Sequence, residues 1–275
     1  MSTPLWLPKL IKKIFPYRRT IARLSRFPIV EKLLHLTLFN GDDLIYLPKD
    51  RVVINQPVEQ PGSVALPSTV VDTFIKNASY RWIMHRCICR EGDDCQDYPH
   101  DIGCIFLGEA VLTINPKLGR LASVDEALEH AQKARDLGLV QLIGRDRIDN
   151  IWMGARPFGK LMTICHCCPC CCLFRVLPSL APSIRKKISR IPGVEIWISD
   201  DCTGCGRCVR QGCFVEALRM ENGRAVISAD CVGCGRCVEV CPQHAIHLEV
   251  TDSSYVDNAI RHISTLVDVG SGVKP

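Results

Sequence analysis

The sequence predicts an α+β protein: a cysteine-rich central domain of mixed helices and a β-hairpin, followed by a small domain made of two matching halves. Three observations lead there. A capping box, Ser123-Val124-Asp125-Glu126, opens a helix with Val124, Ala127, Leu128, Ala131 and Leu137 on one face, and Gly138 is its natural stop. The apolar runs Leu139–Ile143, Ile148–Met153 and Leu161–Ile164, bent around a turn at 154–159, read as a following β-hairpin. The stretch 201–250 nearly repeats itself at an offset of 29 residues: Asp201, Cys202, Gly204, Cys205, Gly206, Arg207, Cys208 and Val209 recur as Asp230 through Val238.

The second copy is C-x2-C-x2-C-x3-C-P, ending at Cys241 and Pro242. A short loop wraps a metal cluster only if its cysteines point inward every third residue. Gly204, Gly206, Gly233 and Gly235 allow positive φ and close backbone approach, and Pro242 turns the chain just after the last cysteine. This run resembles the bacterial two-cluster ferredoxins. The resemblance covers about 55 residues and implies a dicluster ferredoxin-like domain with two [4Fe-4S] clusters. It implies Cys202, Cys205, Cys208 and Cys241 around one cluster, and Cys231, Cys234, Cys237 and Cys213 around the other. The first copy departs from the pattern with C-x4-C before Cys213 and with Phe214 in place of proline. Zinc is the competing guest for a single C-x2-C pair, but tandem copies with a terminal Cys-Pro favour iron and sulfide.

Ten further cysteines lie upstream. Cys87, Cys89, Cys95 and Cys104 fall within 18 residues, in a loop with Gly92, Pro99 and Gly103. Cys165, Cys167, Cys168, Cys170, Cys171 and Cys172 occupy six of eight positions. Adjacent cysteines point in different directions, so the six do not all grip one cluster. Some of them join the first block in one or two further centres, holding an additional iron–sulfur cluster or zinc; buried inert thiols are the plain alternative for the first block. His166 reads equally as a ligand or as a structural residue. A C-x-C…C…GC block and a CxCCxCCC block ahead of a dicluster segment resemble cysteine-rich 4Fe-4S ferredoxin-type proteins of anaerobic microbes, a likeness that implies electron transfer.

Length and composition agree with a metal-rich reading. The chain has 275 residues and 18 cysteines, too long and too clustered for a small secreted disulfide scaffold. Cluster assembly needs a reducing compartment, so the expected place is the cytoplasm, of an anaerobe. No apolar run approaches the ~18 residues of a spanning helix, and no signal peptide is evident; Arg18-Arg19 lacks the context of an export signal.

In order along the chain, residues 1–40 read as a basic helical arm broken by Pro8, Pro16 and Pro28. Residues 1–35 carry eight Lys and Arg against Glu31 alone, so the rest of the chain is slightly acidic. The arm suits contact with a membrane surface or an acidic partner, or simple packing on its own domain. The central domain spans 41–176, with a strand near Arg51–Ile54, a turn at Pro61-Gly62, and a helix from Pro67-Ser68 bearing Val70, Val71, Phe74 and Ile75. Its helix-then-hairpin order is that of winged-helix domains, a pattern analogy without implied nucleic-acid binding. Gly154–Lys160 matches G-x4-G-K, but Leu161 replaces the Ser or Thr of a phosphate loop, so no nucleotide is expected. Residues 177–192 read as a linker, 193–250 as the dicluster domain with a first strand at Val194, Ile196 and Ile198, and 251–275 as a final helix and tail.

Two functions stay open. The chain is an electron-transfer protein or subunit serving redox partner proteins, or it is a redox enzyme or metal-centre assembly factor whose chemistry lies at the central cysteines. Nothing resembles a Ser/His/Asp triad or a paired-carboxylate site.

Overall fold

In a computed structural model the described residues are 4–54 and 65–270; the turn expected at Pro61-Gly62 lies outside them. The fold is α+β. Three short helices open it: α1 (Trp6–Ile14), α2 (Arg18–Leu24) and α3 (Pro28–Thr37). Pro8 sits in the first turn of α1, where its missing N–H costs nothing, and Pro28 starts α3. The arm packs on the body through buried Phe15 and Ala22, with Leu7 and Ile11 beside them, and through ion pairs. Lys12 pairs with Glu91 at 3.1 Å, Arg18 with Asp93, and Arg19 with Glu216 at 2.8 Å. Buried Ser25 accepts the Ala181 N–H at 2.9 Å.

The chain then enters β1 (Asp43–Tyr46), α4 (Asp50–Ile54), α5 (Ser68–Asn77), β2 (Arg81–Met84) and α6 (Ile88–Gly92). β3 (Ile105–Leu107), β4 (Gly119–Leu121), α7 (Val124–Asp136), β5 (Val140–Arg145), α8 (Arg147–Met153) and β6 (Met162–Cys167) follow. α9 (Pro182–Arg185) and β7 (Ile188–Arg190) complete this part. The seven strands form one sheet, ordered β4-β2-β3-β6-β5-β1-β7, antiparallel throughout except for β1 beside β7. The stretch read as a linker therefore supplies an edge strand.

Strand alternation divides the sheet's work. One face carries Ile45, Ile83, Ile105, Leu107, Ile143, Met162 and Ile164 against α5 and α7. In α5 the expected set Val70, Val71, Phe74 and Ile75 is fully buried there. In α7 the Ser123 capping box forms as the sequence implies. The opposite face carries Leu44, Tyr46, Leu142, Cys165 and Cys167, so the thiols of β6 project away from the helical layer.

Two expectations are corrected. Arg51–Ile54 is helical, not extended: the Val52 N–H bonds back to the Lys49 carbonyl at 2.9 Å, and the turn packs on the C-terminal segment. Three β-branched residues, Val52, Val53 and Ile54, were too short a run to outweigh that context. Ile148–Met153 is likewise helix rather than a hairpin strand. Asp146 caps α8 by accepting the Ile148 N–H at 2.9 Å, and Gly154 at φ +63° closes it. The hairpin partners are β5 and β6, with α8 as their crossover, so the winged-helix analogy does not hold.

The C-terminal segment contains β8 (Val194–Ile198), β9 (Leu218–Glu221), β10 (Arg224–Ile227), α10 (Arg236–Val240), β11 (Ile246–Val250) and α11 (Tyr255–Leu266). β8 pairs antiparallel with β11, and β9 with β10 across an Asn222-Gly223 turn. α11 returns to α5, burying Tyr255, Val256, Ala259 and Ile263, so one core runs through both parts.

Between the arm and α8, three acidic residues share a buried corner: Asp42, Asp146 and Asp149. Burial raises the Asp42 carboxyl to about 7, although it accepts the Arg147 N–H at 2.8 Å. A carboxyl whose folded pKa lies above its unfolded value stabilises most while protonated, and that contribution fades as pH rises toward 7. Asp42→Asn is expected to flatten the fall in denaturation midpoint between pH 5.5 and 7, by at most about 1.4 kcal/mol per pH unit. An unchanged slope would show that Asp42 is ionised throughout.

Candidate functional site

The tail brings its eight cysteines to two cavities. Cys202, Cys205, Cys208 and Cys241 line one, with Ala225, Pro242 and Ile246. Cys213, Cys231, Cys234 and Cys237 line the other, with Ile196, Phe214, Val215, Leu218 and Ile227. Each cavity thus takes three cysteines from one copy of the repeat and the last cysteine of the other copy. The two cavities are alike in size, and both are small and mostly apolar.

The extra residue before Cys213 is absorbed locally. Residues Cys208–Gly212 form one widened turn in which the Cys213 N–H reaches back five residues to the Cys208 carbonyl at 3.0 Å. Such wide turns accommodate single insertions and recur at functional sites. Cys213 therefore lines its cavity despite the longer spacing. This turn packs on α10 through Gly212: a Cβ there would sit 2.9 Å from Val240 Cγ2 and 3.1 Å from the Cys237 backbone. The two cysteine turns touch because that residue has no side chain.

The donor chemistry fits iron–sulfur clusters. Burial pushes Cys234 up to about 12 and raises Cys208, Cys231 and Cys237, while neighbouring thiols add repulsion. At Cys202 the Ala225 and Gly204 N–H groups act the other way and favour the thiolate. Four thiols around an apolar cavity become thiolates together only when a cationic guest compensates them. All eighteen cysteines are free, so no disulfide competes for these sulfurs.

The ten central cysteines separate into two groups under the sheet. In the first, Cys95, Cys168, Cys170 and Cys171 have sulfurs that all lie within 4.8 Å of one another. In the second, Cys104 and Cys165 approach to 3.4 Å, Cys87 lies beside Cys89, and Cys167 beside Cys172. Charge interactions among Cys87, Cys89, Cys104 and Cys172 tie these pairs into one set. Cys165 and Cys167 reach it from alternate positions of β6, while Cys87, Cys89 and Cys104 come from the segment around α6. His166 points to the other face of the sheet, beside His130 at 5.7 Å between ring centroids, and burial holds its pKa well below the usual range.

Arg90 lies between the two groups, fully buried. It donates to the His166 carbonyl at 3.0 Å and to the Ile102 carbonyl. Burial opposes its charge, but the sulfurs of Cys87, Cys168 and Cys104 outweigh that, and its pKa is raised. The Cys87 thiol is correspondingly lowered to about 6, by its hydrogen bond with Cys89 and by Arg90, against burial. A buried guanidinium requires negative charge nearby, and here that charge is sulfur.

Two contributors escaped sequence reading. Arg90 stands next to Cys89, and a lone cation within a cysteine block was its only signal. Tyr46 had none. Fully buried, it donates its hydroxyl to Cys167 Sγ at 3.5 Å and meets Phe214, a lining residue of the second tail cavity, edge-on at 5.7 Å.

Residues 195–255 match the family model of a 4Fe-4S dicluster domain. No curated protein and no solved structure matches the chain. The C-terminal segment is ferredoxin-like, and the chain carries an iron–sulfur domain.

Gly204 gives a direct test of cavity integrity. It has φ +72°, and a Cβ would meet the Gly223 carbonyl oxygen at 2.0 Å. Gly204→Ala is expected to cost on the order of 1–3 kcal/mol and to deplete iron at the Cys202 set, read as lost iron per chain after anaerobic purification. Full iron with unchanged stability would show that the loop tolerates a side chain there.

Proposed function

We propose that the chain is an iron–sulfur electron-transfer protein in which Cys202, Cys205, Cys208 and Cys241 hold one [4Fe-4S] cluster and Cys213, Cys231, Cys234 and Cys237 a second. A further iron–sulfur centre belongs to Cys87, Cys89, Cys104, Cys165, Cys167 and Cys172. The observation that carries this reading is the pair of adjacent four-cysteine cavities inside a segment that matches a dicluster model. A cluster bound at either set would supply reversible one-electron transfer at low potential.

The surroundings of the cysteines give the relay an order. Cys205 is exposed, so the Cys202 set is the end that meets a redox partner protein. The Cys213 set is the inner one, since Phe214 joins it to Tyr46 and Tyr46 touches Cys167. Gly212 holds the two tail sets together. Electrons from a low-potential protein donor enter at the exposed end, and the central thiols are the interior terminus. The reading places the protein in a reducing, oxygen-poor cytoplasm.

One observation favours a second reading, a redox enzyme or metal-centre assembly factor. The central set holds six thiols, two more than a cube needs. Surplus thiols beside a terminal electron site suit binding of a substrate or a nascent metal centre.

The test is electron paramagnetic resonance of the full chain, purified without oxygen and reduced with dithionite. Native protein is expected to give broadened signals from two interacting clusters. Cys241→Ser and Cys213→Ser should each disturb one cluster and leave the other with an uncoupled signal, while Cys167→Ser leaves both tail signals intact. Untouched signals in both tail variants would overturn the assignment.

A further inference from the structure

The first central group differs in kind from the second. Zinc–sulfur bonds of about 2.3 Å in a tetrahedron set the sulfurs about 3.8 Å apart. Thiolates on four separate irons of a cube lie farther from one another. The sulfurs of Cys95, Cys168, Cys170 and Cys171 all fall within 4.8 Å, with Cys95 and Cys170 at 3.4 Å. That spacing suits one ion. Cys168 and Cys171 also form a C-x2-C knuckle, the Cys171 N–H donating to Cys168 Sγ at 3.4 Å. The fourth ligand comes from the loop after α6, where the Cys95 N–H bonds to the Arg90 carbonyl at 2.9 Å.

We propose that these four cysteines hold a single tetrahedral zinc-class ion, separate from every iron–sulfur centre. The assignment rests on reading the central cysteines as metal ligands but not on the tail clusters. With four thiolates the site is closed and redox-inert. Its work is mechanical: it fastens the 93–104 loop to the end of β6, and so fixes Cys104 against Cys165. Arg90 faces the anionic site through Cys168.

The test is zinc X-ray absorption on the native full chain, together with metal analysis. About one zinc per chain with about four sulfur neighbours near 2.3 Å and no iron in its vicinity is the expected result. Cys95→Ser combined with Cys171→Ser should abolish zinc and leave the dithionite-reduced tail signals as they were. Absence of zinc from the native chain, mixed nitrogen and sulfur ligation, or a single iron in its place would overturn the proposal. Loss of the tail signals in native protein would instead refute the electron-transfer reading alone.

A second, independent observation concerns the arm. Lys12, Arg18 and Arg19 reach inward to Glu91, Asp93 and Glu216, while a set of large apolar side chains faces out. Trp6, Leu10, Ile14, Tyr17, Ile21 and Leu24 recur every three or four residues across α1 and α2, all exposed, and the row continues through Ile29 on α3. Trp6 is 61% exposed, Tyr17 65% and Ile29 85%. Lys9, Lys13, Arg23 and Lys32 are exposed among them. A row of this length on an aqueous face marks an interaction surface. Its basic flank selects an anionic partner, and interspersed Trp and Tyr suit the lipid headgroup boundary. No helix among the described residues is long and apolar enough to cross a membrane.

We infer that the arm lies in the plane of an anionic membrane surface, apolar row inward to the lipid. The full chain is expected to float with phosphatidylserine-containing vesicles and to bind phosphatidylcholine vesicles at least tenfold more weakly. Ile14→Glu with Ile21→Glu should abolish flotation at unchanged iron content, and Lys9→Glu with Lys13→Glu should erase the preference for anionic lipid. Absence of flotation in the native chain, or a stable dimer in solution formed through this row, would overturn the inference.

Discussion

Mutual repulsion among buried sulfurs is the constraint on which the rest of the structure depends. Thiolates packed together out of water are unfavourable unless cations sit between them. The protein surrounds eight of its thiols with the two apolar cavities of the tail, and the same bonds that hold a metal there would hold the chain. The tail has little regular structure of its own, only two short β pairs and a few helical turns. It borrows rigidity from α11 against α5 and from Lys49, which pairs with Glu239 of α10 at 2.7 Å.

In the central domain the same constraint is met by a different arrangement. The sheet's alternation sends every second side chain of β6 to the face away from α5 and α7, so Cys165 and Cys167 meet the segment that carries Cys87, Cys89 and Cys104. Arg90 sits where the two sulfur groups approach, a fixed positive charge in a region otherwise rich in negative sulfur. Tyr46, at the end of β1, packs on Phe174 at 6.0 Å and links this face to the tail through Phe214 at 5.7 Å. The two cysteine-rich regions are therefore neighbours through packed side chains rather than lobes on a flexible tether.

Much of this was legible because it is written in local spacing. The repeat at an offset of 29 residues is local, and the two cavities follow it. So are the Ser123 capping box and the apolar set of α5. The misreading of Ile148–Met153 came from weighing an apolar run above its caps, since Asp146 and Gly154 both stand in the sequence. What stayed illegible is long-range. Nothing near Tyr46 announces Cys167, 121 residues away. The division of ten cysteines into four and six depends on which direction each side chain leaves a strand or turn, and composition does not carry that. The arm's outward apolar row was hidden too. Its apolar and basic residues were plain, but only the fold reveals that the body took Phe15, Ala22 and the charges of Lys12, Arg18 and Arg19 and left a second row of apolar side chains outside.

The central claim is that the tail cavities are cluster sites of cubane type. Mössbauer spectroscopy of the full chain, prepared without oxygen from iron-57, tests it most directly. The account predicts that about eight irons per chain give the signature of two thiolate-bound [4Fe-4S] clusters, with an added component from the central six-thiol centre. A spectrum containing only single-iron sites, or a chain that binds zinc and no sulfide after anaerobic reconstitution, would contradict it.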